Sequence, residues 1–176
     1  MTLRNLTFAA AAVILLVPAP MAAWAAESSM ASAMQAPTMI GDLEITASFA
    51  RATLPGAPTG GAYITIQNTG NMPDTLVAAT SPAAGSVSLH TMSMDGAVMK
   101  MEALPQGIPI PAGATVTMTP DGLHLMFEHL AGPFVEGKTI AVTLVFAKAG
   151  SAVVNVPILG FGAQSPMAGP MAGMAM

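Results

Sequence analysis

Short runs of β-branched and apolar residues, separated by turn residues, constrain the fold of this chain most strongly. The runs read YITIQN, GSVSLHTM, AVMKMEAL, ATVTMT, LHLMFEHL, TIAVTLVFA and AVVNVPIL. Turn signals such as Asp95-Gly96 and Ala149-Gly150 lie between them. No long stretch among these runs has the 3.6-residue period of an amphipathic helix. About seven to nine short strands at this spacing predict an all-β, antiparallel sandwich or barrel, whose strand order the pattern does not give.

The N-terminus has the features of an export signal. Arg4 places a positive charge before FAAAAVILLVPAP, an apolar run too short to span a membrane. The small residues of AWA then precede a predicted cleavage point before Ala26. An uncleaved membrane anchor is disfavoured because Pro18 and Pro20 interrupt the run. We therefore predict a signal peptide over residues 1–25 and a location in the periplasm.

Composition divides the rest of the chain into three regions. Residues 26–40 are small, polar and methionine-containing, and we expect a flexible leader there. Residues 161–176 form a Met-rich, low-complexity tail of Gly, Ala, Pro and Met, which we also expect to be disordered. Residues 41–160 contain the predicted strands. One β-sandwich domain is therefore expected between two unstructured ends.

The charge and cysteine content exclude several classes of function. Of the 176 residues, 53% are hydrophobic and 8% charged, with five Lys plus Arg and a net charge of −4. This leaves no basic patch for a nucleic-acid backbone. The chain has no cysteine, which excludes disulfides, thiol catalysis, zinc–thiolate sites and a lipid anchor attached through cysteine. No nucleophile–base pair or carboxylate pair is visible, so we do not expect an enzyme.

The segment LHTMSMDGAVMKMEAL, residues 89–104, predicts a β-hairpin. Asp-Gly between two strand-like runs favours a two-residue turn of type I′, with Asp95 and Gly96 at its centre. Side chains two residues apart on a strand share a face. The predicted facing pairs are Met94 with Ala97, Met92 with Met99, and His90 with Met101. Facing residues have Cβ atoms about 4.5–5.5 Å apart, close enough for one ion to bind both His90 and Met101.

A second histidine–methionine pair lies in DGLHLMFEH. His124 and Met126 point to one face of the predicted strand, and Leu125 and Phe127 to the other. Thioether sulfur is a soft ligand that favours Cu(I), imidazole also suits copper, and the carboxylates that Ca²⁺ or Mg²⁺ require are missing. The spacing is consistent with a His₂Met₂ copper site, although a methionine in a strand commonly fills core space and a lone histidine is commonly structural.

The arrangement His90-x10-Met101-x22-His124-x-Met126 resembles the copper-binding motif of the periplasmic copper chaperones called PCu(A)C. ARATLPGAPTGGAYITIQNTG, DTLVAATSPAAGSVSLHTM, IPIPAG, DGLHLMFEHL and GKTIAVTLVFAKAG are similar to that family in order and spacing, over roughly residues 42–158. Two departures are Phe49, where tryptophan is expected, and Glu102, where a basic residue is commoner.

The resemblance implies a cupredoxin-like, immunoglobulin-like antiparallel β-sandwich that binds one Cu(I) through His90, Met101, His124 and Met126. It also implies delivery of copper to the CuA centre of cytochrome c oxidase subunit II, alongside Sco-type thiol proteins. Periplasmic copper storage or detoxification, and a structural module that binds no metal, are the alternatives.

The remaining methionines are not explained by this motif. Met92, Met94 and Met99 lie on the predicted face of His90, and we interpret them as a Met-rich rim, with an entry path or alternative ligands left open. The tail methionines are as consistent with extra Cu(I) ligands as with a solvated end. His129 is expected to point away from the site.

Overall fold

The computed structural model describes residues 37–166. The predicted signal peptide, most of the predicted leader and the last ten residues of the predicted tail lie outside this range. No described residue is helical, and no membrane-spanning helix is therefore found between residues 37 and 166.

Eleven β-strands make up the described part of the chain. In chain order they are β1 Thr38–Ile40, β2 Leu43–Arg51, β3 Thr59–Asn68, β4 Asp74–Thr80, β5 Ala84–Asp95, β6 Val98–Ala103, β7 Ile108–Ile110, β8 Thr115–Thr117, β9 His124–Leu130, β10 Thr139–Phe146 and β11 Gly150–Leu159.

The strands are hydrogen-bonded in the order β6-β5-β9-β3-β2-β11-β10-β4-β7, with β1 added beside β2 and β8 beside β3. All these pairs are antiparallel except β11 with β2, which is parallel over two residue pairs. The predicted all-β sandwich class is confirmed. The description of it as antiparallel needs this one correction, because β11 returns beside β2 in the same direction.

A single apolar core lies between the strands, and the alternation of side chains supplies it. In β9, Leu125 and Phe127 are fully buried, as the sequence predicts, and they pack in one cluster with residues of β3, β4, β10 and β11. Phe134 meets Phe127 edge to face at 5.4 Å between ring centroids. Because Leu125 and Phe127 face this core, the residues that alternate with them in β9, His124 and Met126, are directed to the other side of the sheet.

Each of the seven sequence runs overlaps a different strand, whereas β1, β2, β4 and β7 were not predicted. β1 lies inside the predicted leader, so that leader is too long by the three residues that pair with β2. The first tail residues also pack: Ala163 is buried, and its carbonyl accepts a hydrogen bond from Arg51 Nε at 2.7 Å.

Candidate metal centre

The turn of the β5–β6 hairpin lies one residue later than the sequence predicts, which shifts each facing partner by two residues. Asp95 pairs with Val98, so Gly96 and Ala97 are the central turn residues. Gly96 has a φ of 64°, whereas Ala97 is not in the positive-φ region, which fits a type II′ turn better than the predicted type I′. Glycine takes the first central position because that is the position requiring positive φ.

The later closure changes every predicted facing pair. The observed pairs are Met94 with Met99, Met92 with Met101, and His90 with Ala103. The prediction that His90 faces Met101 directly is therefore wrong. A shift of two residues keeps the same side chains on the same face, so Met101 stays on the face of His90, diagonally across from it.

The two histidines lie directly opposite each other on neighbouring strands. β5 pairs with β9 so that His90 faces His124, and their rings stack with centroids 5.7 Å apart and planes inclined by 25°. Met126 follows His124 by two residues on the same face and lies opposite Ser88. Three adjacent strands thus bring His90, His124, Met126 and Met101 to one patch, with Met101 contributed from β6.

Each imidazole has one nitrogen within hydrogen-bonding distance of a neighbouring oxygen. His124 Nδ1 lies 3.0 Å from the carbonyl oxygen of Gly122, so Nδ1–H donates and Nε2 keeps its lone pair. His90 Nε2 lies 2.9 Å from Ser88 Oγ, and the Ser88 hydroxyl faces the carbonyl of Met126 at 3.5 Å. When the Ser88 hydroxyl donates to the Met126 carbonyl, its oxygen accepts from His90 Nε2–H, and in this tautomer the lone pair of the neutral His90 ring lies on Nδ1.

His90 Nδ1 is the buried side-chain polar atom in the described residues that lacks a hydrogen-bond partner. An unpaired buried polar atom costs about 1–3 kcal/mol. Such an atom calls for an explanation, and a ligating role provides one because a neutral imidazole nitrogen binds a metal through this lone pair.

The surroundings of His90 favour its neutral form. Burial lowers the pKa of His90 from its ordinary value, the nearby His124 lowers it further, and Glu128 acts in the opposite direction. Glu128 lies two residues beyond Met126 and accepts a hydrogen bond from Ser86 Oγ at 3.1 Å. A neutral imidazole needs no deprotonation before it binds a metal ion.

The donor set limits which ions fit this patch. Among residues 37–166, no three His, Cys, Asp or Glu side chains are grouped closely enough to hold a metal ion. The side chains that do share this patch are two imidazoles and two thioethers, and thioether sulfur favours soft Cu(I) over hard ions such as Ca²⁺. His129, the third histidine of the described residues, is exposed and has a φ of 56°.

Sequence reasoning did not identify Ser88, Gly122 or Glu128 as neighbours of the histidines. Ser88 could have been predicted as a neighbour of His90, since it precedes His90 by two residues and so shares its face of the strand. The contacts of His90 with His124 depend instead on the pairing of β5 with β9, which no local pattern gives.

The fold and this patch define a β-sandwich domain with a His/Met face suited to a soft metal ion. The family model "Putative lipoprotein LpqE-like" matches residues 43–158, and the chain belongs to that family. A relative from Leifsonia xyli subsp. xyli, "Putative lipoprotein Lxx21020", is 38% identical over 107 residues. The match covers 60% of this chain and 64% of the relative, so the chain spans less than two thirds of that protein.

Solved PCuAC domains have the same fold, which confirms the resemblance to the PCu(A)C family. The apo PCuAC domain of PmoF1 is 26% identical with a TM-score of 0.61, over 71% of this chain and 99% of that one. The copper-bound PCuAC domain of PmoF2 is 26% identical with a TM-score of 0.59, over 71% and 98%. The CuI form of DR1885 from Deinococcus radiodurans is 27% identical with a TM-score of 0.54, over 73% and 83%.

Proposed function

We propose that this protein binds one Cu(I) ion on the face formed by β5, β6 and β9, and that it carries the ion without catalysing a reaction. The observation that supports this most is the buried, unpaired Nδ1 of His90, whose ring stacks on that of His124 and shares its face of the sheet with Met101 and Met126. The copper-bound PCuAC domains with the same fold support the choice of metal.

The proposed ligands are His90 Nδ1, His124 Nε2 and the sulfur atoms of Met126 and Met101. All four are neutral, so the bound Cu(I) keeps its single positive charge. Two thioethers disfavour Cu(II), which prefers harder nitrogen and oxygen ligands. The carboxylate of Glu128, on the same face as Met126, places a negative charge near that cation.

Release proceeds by ligand exchange with an acceptor. Thiolates of a partner displace the weaker thioethers first, while the imidazoles still hold the ion. The absence of cysteine in this chain suits an oxidising compartment, because thiols there are lost to disulfides whereas thioethers persist unless they are oxidised to sulfoxide.

The proposed destination is the CuA centre of cytochrome c oxidase subunit II, reached in the periplasm together with Sco-type proteins. The resemblance to PCu(A)C chaperones supports this, and the lipoprotein names of the relatives are those of exported proteins. Incubating the Cu(I)-loaded protein with the CuA domain of an oxidase subunit II tests it. Appearance of copper on that domain is expected, and retention of all copper by this protein would favour periplasmic storage or detoxification.

Anaerobic competition of the protein with a Cu(I) chelator tests the site itself. The double variant His90→Ala/Met101→Ala is expected to weaken binding by more than about 100-fold, since loss of outer partners alone weakens metal sites by 10–100-fold. His129→Ala removes a histidine outside the patch and serves as the matched control. An unchanged affinity in the double variant would overturn the assignment.

Because the observed register differs from the predicted one, the assignment of Met101 as a copper ligand needs a test of its own. Met101 lies diagonally from His90, and Met92 lies between them on β5. Met101→Leu is expected to weaken binding of the first Cu(I), whereas Met92→Leu is expected to leave it unchanged. The reverse result would show that Met92, not Met101, is the ligand.

A further inference from the structure

Four methionines form a ladder along one face of the β5–β6 hairpin, and the proposed ligand set uses only one of them. This methionine ladder consists of Met92, Met94, Met99 and Met101. The register places them as two directly facing pairs, Met94 with Met99 nearest the turn and Met92 with Met101 one step closer to the histidines.

Backbone hydrogen bonds show that both are non-hydrogen-bonded pairs, the type of antiparallel pair in which the facing side chains are closer together. The amide of Met92 donates to the Gly122 carbonyl on the β9 side, so it is not used toward β6. Leu89, of opposite parity on β5, accepts from Leu104 on the other side of the strand. Met92 with Met101, and by alternation Met94 with Met99, are thus non-hydrogen-bonded pairs, in which side chains approach most closely.

Core filling does not account for the outer pair. Met94 is 63% exposed and Met99 is 50% exposed, and every residue of β6 is exposed. Glu102 and Lys100 alternate with the methionines on β6, so they belong to the other face. The ladder therefore presents flexible thioethers to solvent, without a competing carboxylate or ammonium group from β6 on that face.

We propose that Met94 and Met99, with Met92 as the third donor, form an auxiliary Cu(I) site at the exposed end of the hairpin. Met92 and Met94 are two residues apart on one strand, about 7 Å in backbone rise, which long thioether side chains can span toward a shared ion. Three neutral soft donors select Cu(I) over hard cations. The choice of Cu(I) and the inward direction of transfer rest on the proposed function, whereas the presence of a soft-ion site does not.

The innermost donor of this auxiliary site, Met92, lies two residues from His90 on the same face of β5. Ligands are exchanged one at a time: Met101 and then the imidazole nitrogens replace Met94 and Met99 while Met92 stays bound, and Met126 finally replaces Met92. Copper stays Cu(I) throughout, and no proton or electron moves because every ligand is neutral. The auxiliary site thus loads the histidine site from solvent.

NMR of the whole exported chain with ¹³C-methyl methionine, titrated anaerobically with Cu(I), tests this site residue by residue. The Met94 and Met99 methyl signals are expected to shift together as a second equivalent is added. In Met94→Leu, the Met99 response is expected to be lost at the same copper concentration. Met39 and Met72, which are equally exposed but isolated from the ladder, are the internal controls.

A His90→Ala/His124→Ala variant separates this inference from the proposed function. There, the Met94 and Met99 signals are still expected to shift with the first equivalent. Shifts no larger than those of Met39 and Met72, in both proteins, would overturn the auxiliary site. Shifts at the ladder without any copper response at the histidines of the unmodified chain would support the auxiliary site and overturn the proposed function instead.

Discussion

The hydrogen bonds of two polar side chains differ in this protein: those of Asp74, which is buried, and those of His90, which is half-buried. Asp74 accepts hydrogen bonds from the backbone amides of Thr75, Lys148 and Ala149 at 2.7, 2.9 and 2.8 Å, which ties the start of β4 to the β10–β11 turn. His90 has one hydrogen-bonded nitrogen and one buried nitrogen with no partner. A saturated group stabilises the fold, whereas an unsaturated one costs stability, and the proposed copper ligation would offset that cost.

The largest effect on stability is expected from Asp74→Asn. The amide group replaces one acceptor by a donor, and the charge that strengthens the three hydrogen bonds is lost. Urea unfolding should show a loss of about 2–4 kcal/mol. Asp42→Asn, at an exposed aspartate, is the matched control and should change stability by less than about 0.5 kcal/mol. A loss below 1 kcal/mol at Asp74 would remove the contrast with His90.

Ser88→Ala tests whether the orientation of His90 depends on its one hydrogen bond. Without the hydroxyl, Nε2–H loses its acceptor and the ring is no longer fixed with Nδ1 as the free nitrogen. Cu(I) affinity should fall by about 10–100-fold, as for other outer partners of metal ligands. Ser93→Ala, on the opposite face of β5, should bind as the unmodified protein does. Equal affinities in both variants would show that Ser88 does not position His90.

Replacement of His90 by an apolar residue should have little effect on the apo fold, unlike the change at Asp74. His90→Phe and His90→Leu remove the unpaired nitrogen, so the free energy of unfolding should change by no more than about 1 kcal/mol or should increase. Chemical denaturation without copper measures this. Losses of several kcal/mol in both variants would mean that His90 is a structural residue.

The contributions of Asp74 and His90 to stability should change in different pH ranges, so the pH dependence of unfolding can distinguish them. Burial raises the pKa of Asp74, but the amides of Thr75, Ala149 and Lys148 and the Lys148 charge outweigh it, and the pKa is lowered from 3.8. The stability due to Asp74 is therefore present above 3.8 and lost as the pH falls further.

His90 affects the free energy of unfolding at higher pH than Asp74 does. Burial first, and His124 second, lower its pKa from 6.5. As the pH falls below 6.5 the unfolded chain takes up this proton before the folded chain does, and stability declines. Unfolding of His90→Phe across this range should show a shallower decline than the unmodified protein. An equally steep decline would assign the effect to another group.

The sequence predicts the faces of strands better than the pairing between them. The alternation of His124, Leu125, Met126 and Phe127 gives the core side and the site side of β9 correctly, because side-chain parity is a local property. The hairpin pairing was wrong by two residues because Asp-Gly favours a turn centred on both residues, whereas only Gly96 takes positive φ at the centre.

The non-local features could not be predicted from patterns at all. The stack of His90 on His124 depends on β5 lying beside β9, some thirty residues away, and the parallel contact of β11 with β2 depends on the path of the whole chain. β7 was missed because IPI is short and contains proline, which is disfavoured inside sheets.

Side-chain ¹⁵N NMR of the histidines during Cu(I) titration tests the central claim most directly. Before copper is added, His90 should carry its proton on Nε2 and His124 on Nδ1. With one equivalent of Cu(I), the resonances of His90 Nδ1 and His124 Nε2 should shift together, and those of His129 should not. Unchanged His90 and His124 resonances at one equivalent, with copper bound elsewhere, would contradict the account.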